Sequence, residues 1–441
     1  MLDEAVGTTL VVARSKANAP ARARRRPQHG GTARIYDAAV IGAGIVGLAA
    51  AVALARDGYR IVLVERSPPQ RRRGGLGFDL RSVALTPGSV DLLRALGGID
   101  DADLAPIEAM HVWEYDGAAS LRFAGNGAIA FVAEHSVLTT RLWQVAAECL
   151  DIVAQVSVAG LAERPDGVSV AGPDVFARLV IGADGADSIV RELAHTSQRL
   201  EPPYRGGGQR AVVTVARAAK PHGDVAFQRF GRSGPVALLP LCDRTNAGSA
   251  SPSRHTVSVI WSASEAQAQH LQRLSDEAFR TALGEETEGM LGDFLVVDRR
   301  LSFPVRQALA ADFNPSPRTL IIGDAARTLH PLAGQGVNLG LEDVRALVAS
   351  AGHSDLGAPG RWRGFARERR ARSKLMMASM RALLAAYCGP HAGNPWMRLA
   401  RNAAVRFIDA APDVKAQLIR EAMGLGPMAC IRGESASPPA S

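Results

Sequence analysis

Cysteine is scarce and scattered in this chain. Cys149, Cys242, Cys388 and Cys430 are its four, and no two stand at a CxxC or zinc-ligand spacing. Buried thiols in a reducing compartment follow. The ten histidines form no HxH, HxxH or HxxxH pair, so no metal site is expected. Charge of one sign is also scarcer than it looks. The net charge is +8, but residues 1–34 carry Arg14, Lys16, Arg22, Arg24, Arg25, Arg26 and Arg34 against Asp3 and Glu4. That segment accounts for +5 and leaves +3 for the body, so the basic balance does not point to nucleic acid. Long apolar runs are lacking, with one exception. Ala38–Ala55 is 18 residues without a charge, the lower limit for a spanning helix. Three close glycines and a change of period break it into a strand, a turn and a helix.

No apolar run followed by a cleavage site occurs in residues 1–34, which argues against a secretory signal. The segment reads as a disordered basic extension. A transit peptide is the alternative, although two acids stand at its start and it holds one serine. No internal repeat is visible, and GxGxxG occurs once. The length of 441 residues suffices for two or three domains.

What is present begins with "DAAVIGAGIVGLAAAVALARDGYRIVLVER", Asp37 to Arg66. Ala38–Ile41 reads as a buried strand and Gly42, Gly44 and Gly47 as the GxGxxG. An Ala-rich helix follows to about Arg56, Gly58 suits its left-handed end, and Tyr59–Val64 is a second strand. Gly42 permits a tight turn, Gly44 a close approach by pyrophosphate, and Gly47 close packing of helix on strand. The helix N-terminus would face the phosphates. Glu65, 23 residues after Gly42, would accept from a ribose hydroxyl. The spacing predicts dinucleotide binding and by itself does not separate NAD from FAD.

Two further strand ends carry acids. "LVIGADGADSIVRELA", Leu179 to Ala194, has Asp184-Gly185 after its strand, where the carboxylate can accept from backbone or ribose; a plain β-turn is the alternative. "RTLIIGDAARTLHPLAGQGVNLGLEDV" has a strand at Leu320–Ile322, then Gly323 and Asp324 just beyond it, where open α/β sheets bind ligands. Gly334, Gln335, Gly336, Val337 and Asn338 then open a helix whose N–H groups could stabilise charge on a ring system. A pyrophosphate at the first loop, a polyol at Asp324 and a ring at this helix start describe FAD. A nicotinamide dinucleotide lacks the polyol chain.

These motifs, in this order, resemble the para-hydroxybenzoate-hydroxylase class of flavoprotein monooxygenases. Within it the chain looks most similar to the ubiquinone-biosynthesis hydroxylase family. The resemblance spans about Tyr36 to Gly426, includes the family's motif from Ala326 to Gly340, and is most specific in the His-Pro-x-Ala-Gly-Gln-Gly block, His330 to Gly336. "FQRFGRSGPVALLPL", "FDLRSVALTPGSVDLLRALG" and the tail from Arg398 to Gly426 also fit. It implies that Gly42, Gly44, Gly47 and Glu65 hold the ADP half, that Arg81 approaches the pyrophosphate or ribityl region, and that Asp324 binds the ribityl chain. Gly334 to Asn338 would face the isoalloxazine. Pro331 would lie beside the ring near substrate, with His330 next to it. His330 could equally be a helix-entry histidine bonded to backbone, and no firm acid or base is named. Glu342, Ser373-Lys374 and Gly98-Ile99-Asp100 depart from the family pattern.

The expected fold is α/β. A Rossmann-like FAD-binding domain (35–105, 136–196 and 297–388) is interleaved with a mixed β-sheet substrate domain (106–135 and 197–296). A helical C-terminal region fills 389–441, and Pro240 would close one substrate-domain strand. The resemblance implies FAD as cofactor and NAD(P)H as a transient reductant, since no second nucleotide-binding unit is present. O2 and a prenylated phenol are the other expected substrates. Arg71-Arg72-Arg73 and the cluster Arg361, Arg363, Arg367, Arg369, Arg370, Arg372 and Lys374 could meet anionic lipid, or be solvated faces. The expected location is the cytoplasm, peripheral to the inner membrane and in a quinone-synthesis complex, or the mitochondrion if residues 1–34 are a transit peptide. Alternatives are a hydroxylase of a soluble aromatic compound and a non-catalytic FAD-bound subunit. A halogenase is disfavoured because Trp113, Trp143, Trp261, Trp362 and Trp396 form no WxWxIP.

Overall fold

The computed structural model describes residues 35–115, 120–124, 127–201, 208–231, 234–243, 253–330 and 334–388, with isolated positions from 394 to 411. Among them, a seven-stranded sheet is drawn from three separate stretches of chain. Ile35–Ile41 lies between Ile61–Glu65 and Val175–Gly182, parallel to both. Asp151–Ala154 extends one side, and the antiparallel pair Gly160–Arg164 and Gly167–Ala171 the other. Thr319–Ile321 pairs in parallel with the end of Val175–Gly182. The central strands are apolar on both faces, as a parallel sheet covered on both sides requires.

The register does the positioning. Ile41 is opposite Gly182, and Gly182 is opposite Ile321. The three motif-bearing loops therefore leave the sheet side by side at its carboxyl edge, where open α/β sheets bind ligands. Helix Ile45–Arg56 packs between the sheet and the helices His135–Cys149 and Gln335–Ala351, with nine of its twelve residues buried. Its alanines leave room for neighbours on several sides. Gly58, at φ +90°, ends that helix. The 18-residue uncharged run is thus a strand and a helix, and no helix among the described residues is long and apolar enough to cross a membrane.

A second sheet of eight strands comes from Ala109–Glu114, Ser120–Ala124 and the segment between Gln209 and Val305. Its core strands are Gln209–Ala218, Ser253–Ser264, Gly234–Asp243 and Val225–Gly231, all antiparallel in that order. One face buries Val215, Leu239 and Leu241 against Phe78, Leu80 and, on a separate three-stranded sheet, Val132. Pro240 does not close its strand. It sits within Gly234–Asp243, opposite Val257. The ladder to Val225–Gly231 begins only at the Phe227–Leu238 pair, so Pro240 lies beyond it and its missing N–H breaks no rung there. Helix Arg363–Cys388 closes the fold, burying Ala366 and Met377 against Leu309, Ala310 and Phe313.

Candidate active site

A cleft of about 560 Å³ opens at the carboxyl edge of the seven-stranded sheet. It brings together Gly42, Gly44, Glu65, Asp184, Asp324, Gly336 and Val337 from the three motifs. Gly42 holds φ +105°, and a Cβ there would lie 2.5 Å from Ala183 O. Its N–H bonds Val64 O at 2.9 Å, while Ala183 N–H bonds Ile41 O at 2.8 Å. Only glycine lets the first and second loops approach so closely. Gly44 caps the first helix with backbone alone and has no atom near its missing Cβ. No side chain caps that terminus, so its first N–H groups stay available to an anion. Gly47 does not line the cleft. Its missing Cβ would be 2.0 Å from Gly42 O, which fixes how closely helix meets strand.

The three acids behave differently. Glu65 accepts from Ala43 N–H at 2.5 Å and Ser67 N–H at 2.7 Å, which holds its carboxylate at the cleft wall. Asp184 turns to the short helix Ile189–Leu193, accepting from Ser188 Oγ at 2.5 Å and from the N–H groups of Ile189 and Val190. Of the two roles open to it, backbone acceptor is the one in place. Asp324 is exposed only toward the cleft and is enclosed elsewhere. That enclosure raises its pKa above the usual carboxylate value, Arg327 opposes the rise and Asp343 adds to it. A Cβ on Gly336 would sit 3.9 Å from Asp324 Oδ1, so the helix start and the acid share one end of the cleft.

The other predicted residues pack around it. Gly323 (φ +59°) donates its N–H to Asp343 Oδ2 at 3.0 Å. Gly334 begins the Gln335–Ala351 helix at φ +63°, against Ala84. Gln335 is that helix's first residue and is half-buried. Asn338 is buried, accepting from Thr86 N–H at 2.9 Å and donating to Ala84 O at 2.8 Å, so it staples the helix to the neighbouring segment. Arg81 stands beside the cleft, its carbonyl accepting from His135 N–H at 3.0 Å. His330 is buried with Nε2 3.1 Å from Gln209 Oε1, a side-chain partner on the second sheet. Burial lowers its pKa to about 4. Pro331 lies outside the described residues.

Sequence reasoning missed two features. His135 lines the cleft, and its Nδ1 is buried without a hydrogen-bond partner among the described residues. Burial and then the Arg81 charge lower its pKa to about 4. Nothing local in "EHSVL" singles it out. The second is a buried charge network centred on Asp343, which bonds Gly323 N–H, pairs with Arg327, and meets Arg369 Nε at 2.7 Å. Glu342, a departure from the family pattern, meets Arg369 at 3.1 Å and Arg372 at 3.4 Å. The burial of its acid was findable, though not its partners: Asp343 lies four residues from both Leu339 and Leu347 on the helix's buried stripe.

The histidines imply a pH effect. Both have folded pKa values below the unfolded 6.5, so the unfolded chain binds protons that the folded chain refuses. Their contribution is fully favourable above about pH 6.5 and declines as pH falls toward 4. The thermal midpoint should drop across that window, and less steeply in His135→Gln. Parallel pH–stability curves for the two proteins would refute it.

The cleft suits FAD by its donor order: acceptors at Glu65 and Asp324, and an uncapped helix start with an orphaned imidazole nitrogen among the lining groups. Comparison with known proteins agrees. A family model described as "FAD binding domain" matches residues 35–377. The chain is 29% identical over 408 residues to the 3-demethoxyubiquinol 3-hydroxylase of Escherichia coli (strain K12), covering 88% of this chain and 98% of that one. It is 30% identical over 421 residues to the ubiquinone hydroxylase UbiL of Rhodospirillum rubrum, covering 91% and 93%. Its fold is that of p-nitrophenol 4-monooxygenase PnpA from Pseudomonas putida DLL-E4, at a TM-score of 0.70, 18% identity and 90% and 100% coverage.

Proposed function

The chain belongs to the FAD binding domain family and, within it, to the ubiquinone-biosynthesis hydroxylases, and from that premise we propose that it hydroxylates the aromatic ring of a prenylated phenol. It is an FAD-dependent aromatic-ring monooxygenase that uses NAD(P)H and O2. The observation that carries the reading is the single cleft joining all three motif loops. When bound, FAD takes electrons from NAD(P)H and delivers one oxygen atom of O2 to the ring.

The chain's own residues hold and orient. Glu65 would accept from the ribose of the ADP half. The helix start at Gly44 and Ile45, with His135 Nδ1 as a neutral donor, would hold the pyrophosphate. Asp324 would accept from the ribityl hydroxyls, and Gly336 and Val337 would lie against the ring system. Neutral His330, tied to Gln209, would link this end of the cleft to the eight-stranded sheet. That sheet would cover the substrate and exclude water. The enzyme would work at a membrane surface, where a prenylated ring is held.

Purified FAD-bound protein, NAD(P)H, 18O2 and a short-chain prenylated phenol test this reading. The expected product is 2 mass units heavier than the product formed with 16O2, with substrate-stimulated NAD(P)H oxidation. No stimulation would indicate a scaffold, and faster turnover of a soluble aromatic acid would overturn the substrate. Asp324→Ala should weaken FAD binding about 30- to 150-fold, the loss of charge-assisted hydrogen bonds worth about 2–3 kcal/mol. A fully yellow variant of unchanged stability would remove Asp324 from the ribityl role.

A further inference from the structure

We propose that the outer face of the C-terminal helix and the 311–317 loop form a groove that binds the phosphate headgroups of anionic phospholipid. A second cleft, about 620 Å³, lies between them and shares no lining residue with the first. Arg363, Arg367, Arg370 and Lys374 line it, against the single carboxylate of Asp312. Their spacings of four, three and four place them on one line of the helix, about 16 Å long. Asp312 Oδ1 accepts from Asn314 N–H at 2.9 Å, within its own loop.

The basic cluster thus divides in two. Arg369 and Arg372 turn inward to Asp343 and Glu342. Arg361 donates to Ser350 O at 2.7 Å. Arg370 Nε is anchored on Ala310 O at 3.2 Å. The side chains of Arg363, Arg367 and Lys374 make no hydrogen bond or ion pair among the described residues. Arg363 and Arg367 stand one helical turn apart, Lys374 lies two turns further with Arg370 between, and these like charges repel one another until an anion enters among them. Leu375, next to Lys374 in the same helix, is exposed at 45%. Cations with an exposed leucine beside them suit a lipid surface better than a soluble phosphate. The proposal rests on the prenylated-substrate reading, since a lipid substrate must be reached at a bilayer.

The test is flotation of the FAD-bound enzyme, followed by flavin absorbance, on phosphatidylglycerol and phosphatidylcholine vesicles. The wild type should float with the anionic vesicles only, and release as salt rises from 0.05 to 1 M. The triple variant Arg363→Glu, Arg367→Glu, Lys374→Glu should partition on the order of 100-fold less while staying yellow with an unchanged melting point. The same reversal at Arg71, Arg72 and Arg73 controls for net charge and should retain most binding. Equal recovery on neutral vesicles, loss of binding in both triple variants, or retention in the first would each overturn the groove. Pyrophosphate that binds the wild type with no vesicle binding would overturn the lipid source. Flotation needs no turnover, so it stands or falls apart from the substrate assay.

Discussion

Asp343→Ala should lower the stability of the enzyme by about 3–5 kcal/mol, the cost of removing one partner from a buried ion pair. Asp343 is fully buried and holds three groups at once: Gly323 N–H, Arg327 and Arg369. Alanine leaves two buried guanidinium groups short of an anion and frees the turn that carries Asp324. Two readouts should therefore move together. The melting point of flavin-free protein should fall by about 4–6 °C, and the flavin-to-protein ratio should fall even where the protein stays folded. Glu342→Ala sets the contrast. That carboxylate is partly exposed and bonds neither Gly323 nor Arg327, so its loss should cost less than that of Asp343 and leave FAD binding nearly intact. If the two variants melt together near the wild type, Asp343 is not the keystone of this loop.

The same network shows where sequence reading stops. Strand, turn, helix, strand and terminal acid in 37–66 were legible because each step is local: glycine spacing, apolar runs and a helix end at Gly58. The third motif was legible for the same reason, down to the helix opening at Gln335. Asp343, Arg327 and Arg369 are separated by 16 and 26 residues, and only the packing of two helices on one turn makes them a unit. His135 lines the cleft because its helix starts beside the Arg81 segment, a tertiary fact. Pro240 was misread because strand chemistry was applied without knowing which neighbour was missing. The basic cluster could not be divided from sequence either, because alternate arginines of one helix meet buried acids or solvent according to what packs against it.

Gly44→Ala and Gly47→Ala should fail in different ways, and the difference tests the cofactor reading directly. Gly47 has no room for a methyl: Cβ would meet Gly42 O at 2.0 Å and Ala183 Cβ at 3.1 Å. The obstacle is backbone, and Gly42 cannot retreat because its own missing Cβ already faces Ala183 O at 2.5 Å. The helix must lift from the strand. That overpacking should cost about 1–3 kcal/mol or more, visible in flavin-free protein, and displace the helix start enough to abolish FAD binding. Gly44 is the reverse case. Its φ of −71° suits any residue, and no atom lies within 4 Å of its missing Cβ. Flavin-free Gly44→Ala should melt within about 1 kcal/mol of the wild type, the cost of a poorer N-cap. Yet its methyl would stand where a pyrophosphate must approach the backbone, and FAD affinity should fall by about 100-fold or more. Wild-type FAD affinity in Gly44→Ala would mean that the phosphates do not pass this loop, and the orientation of the cofactor in the cleft would have to be reversed.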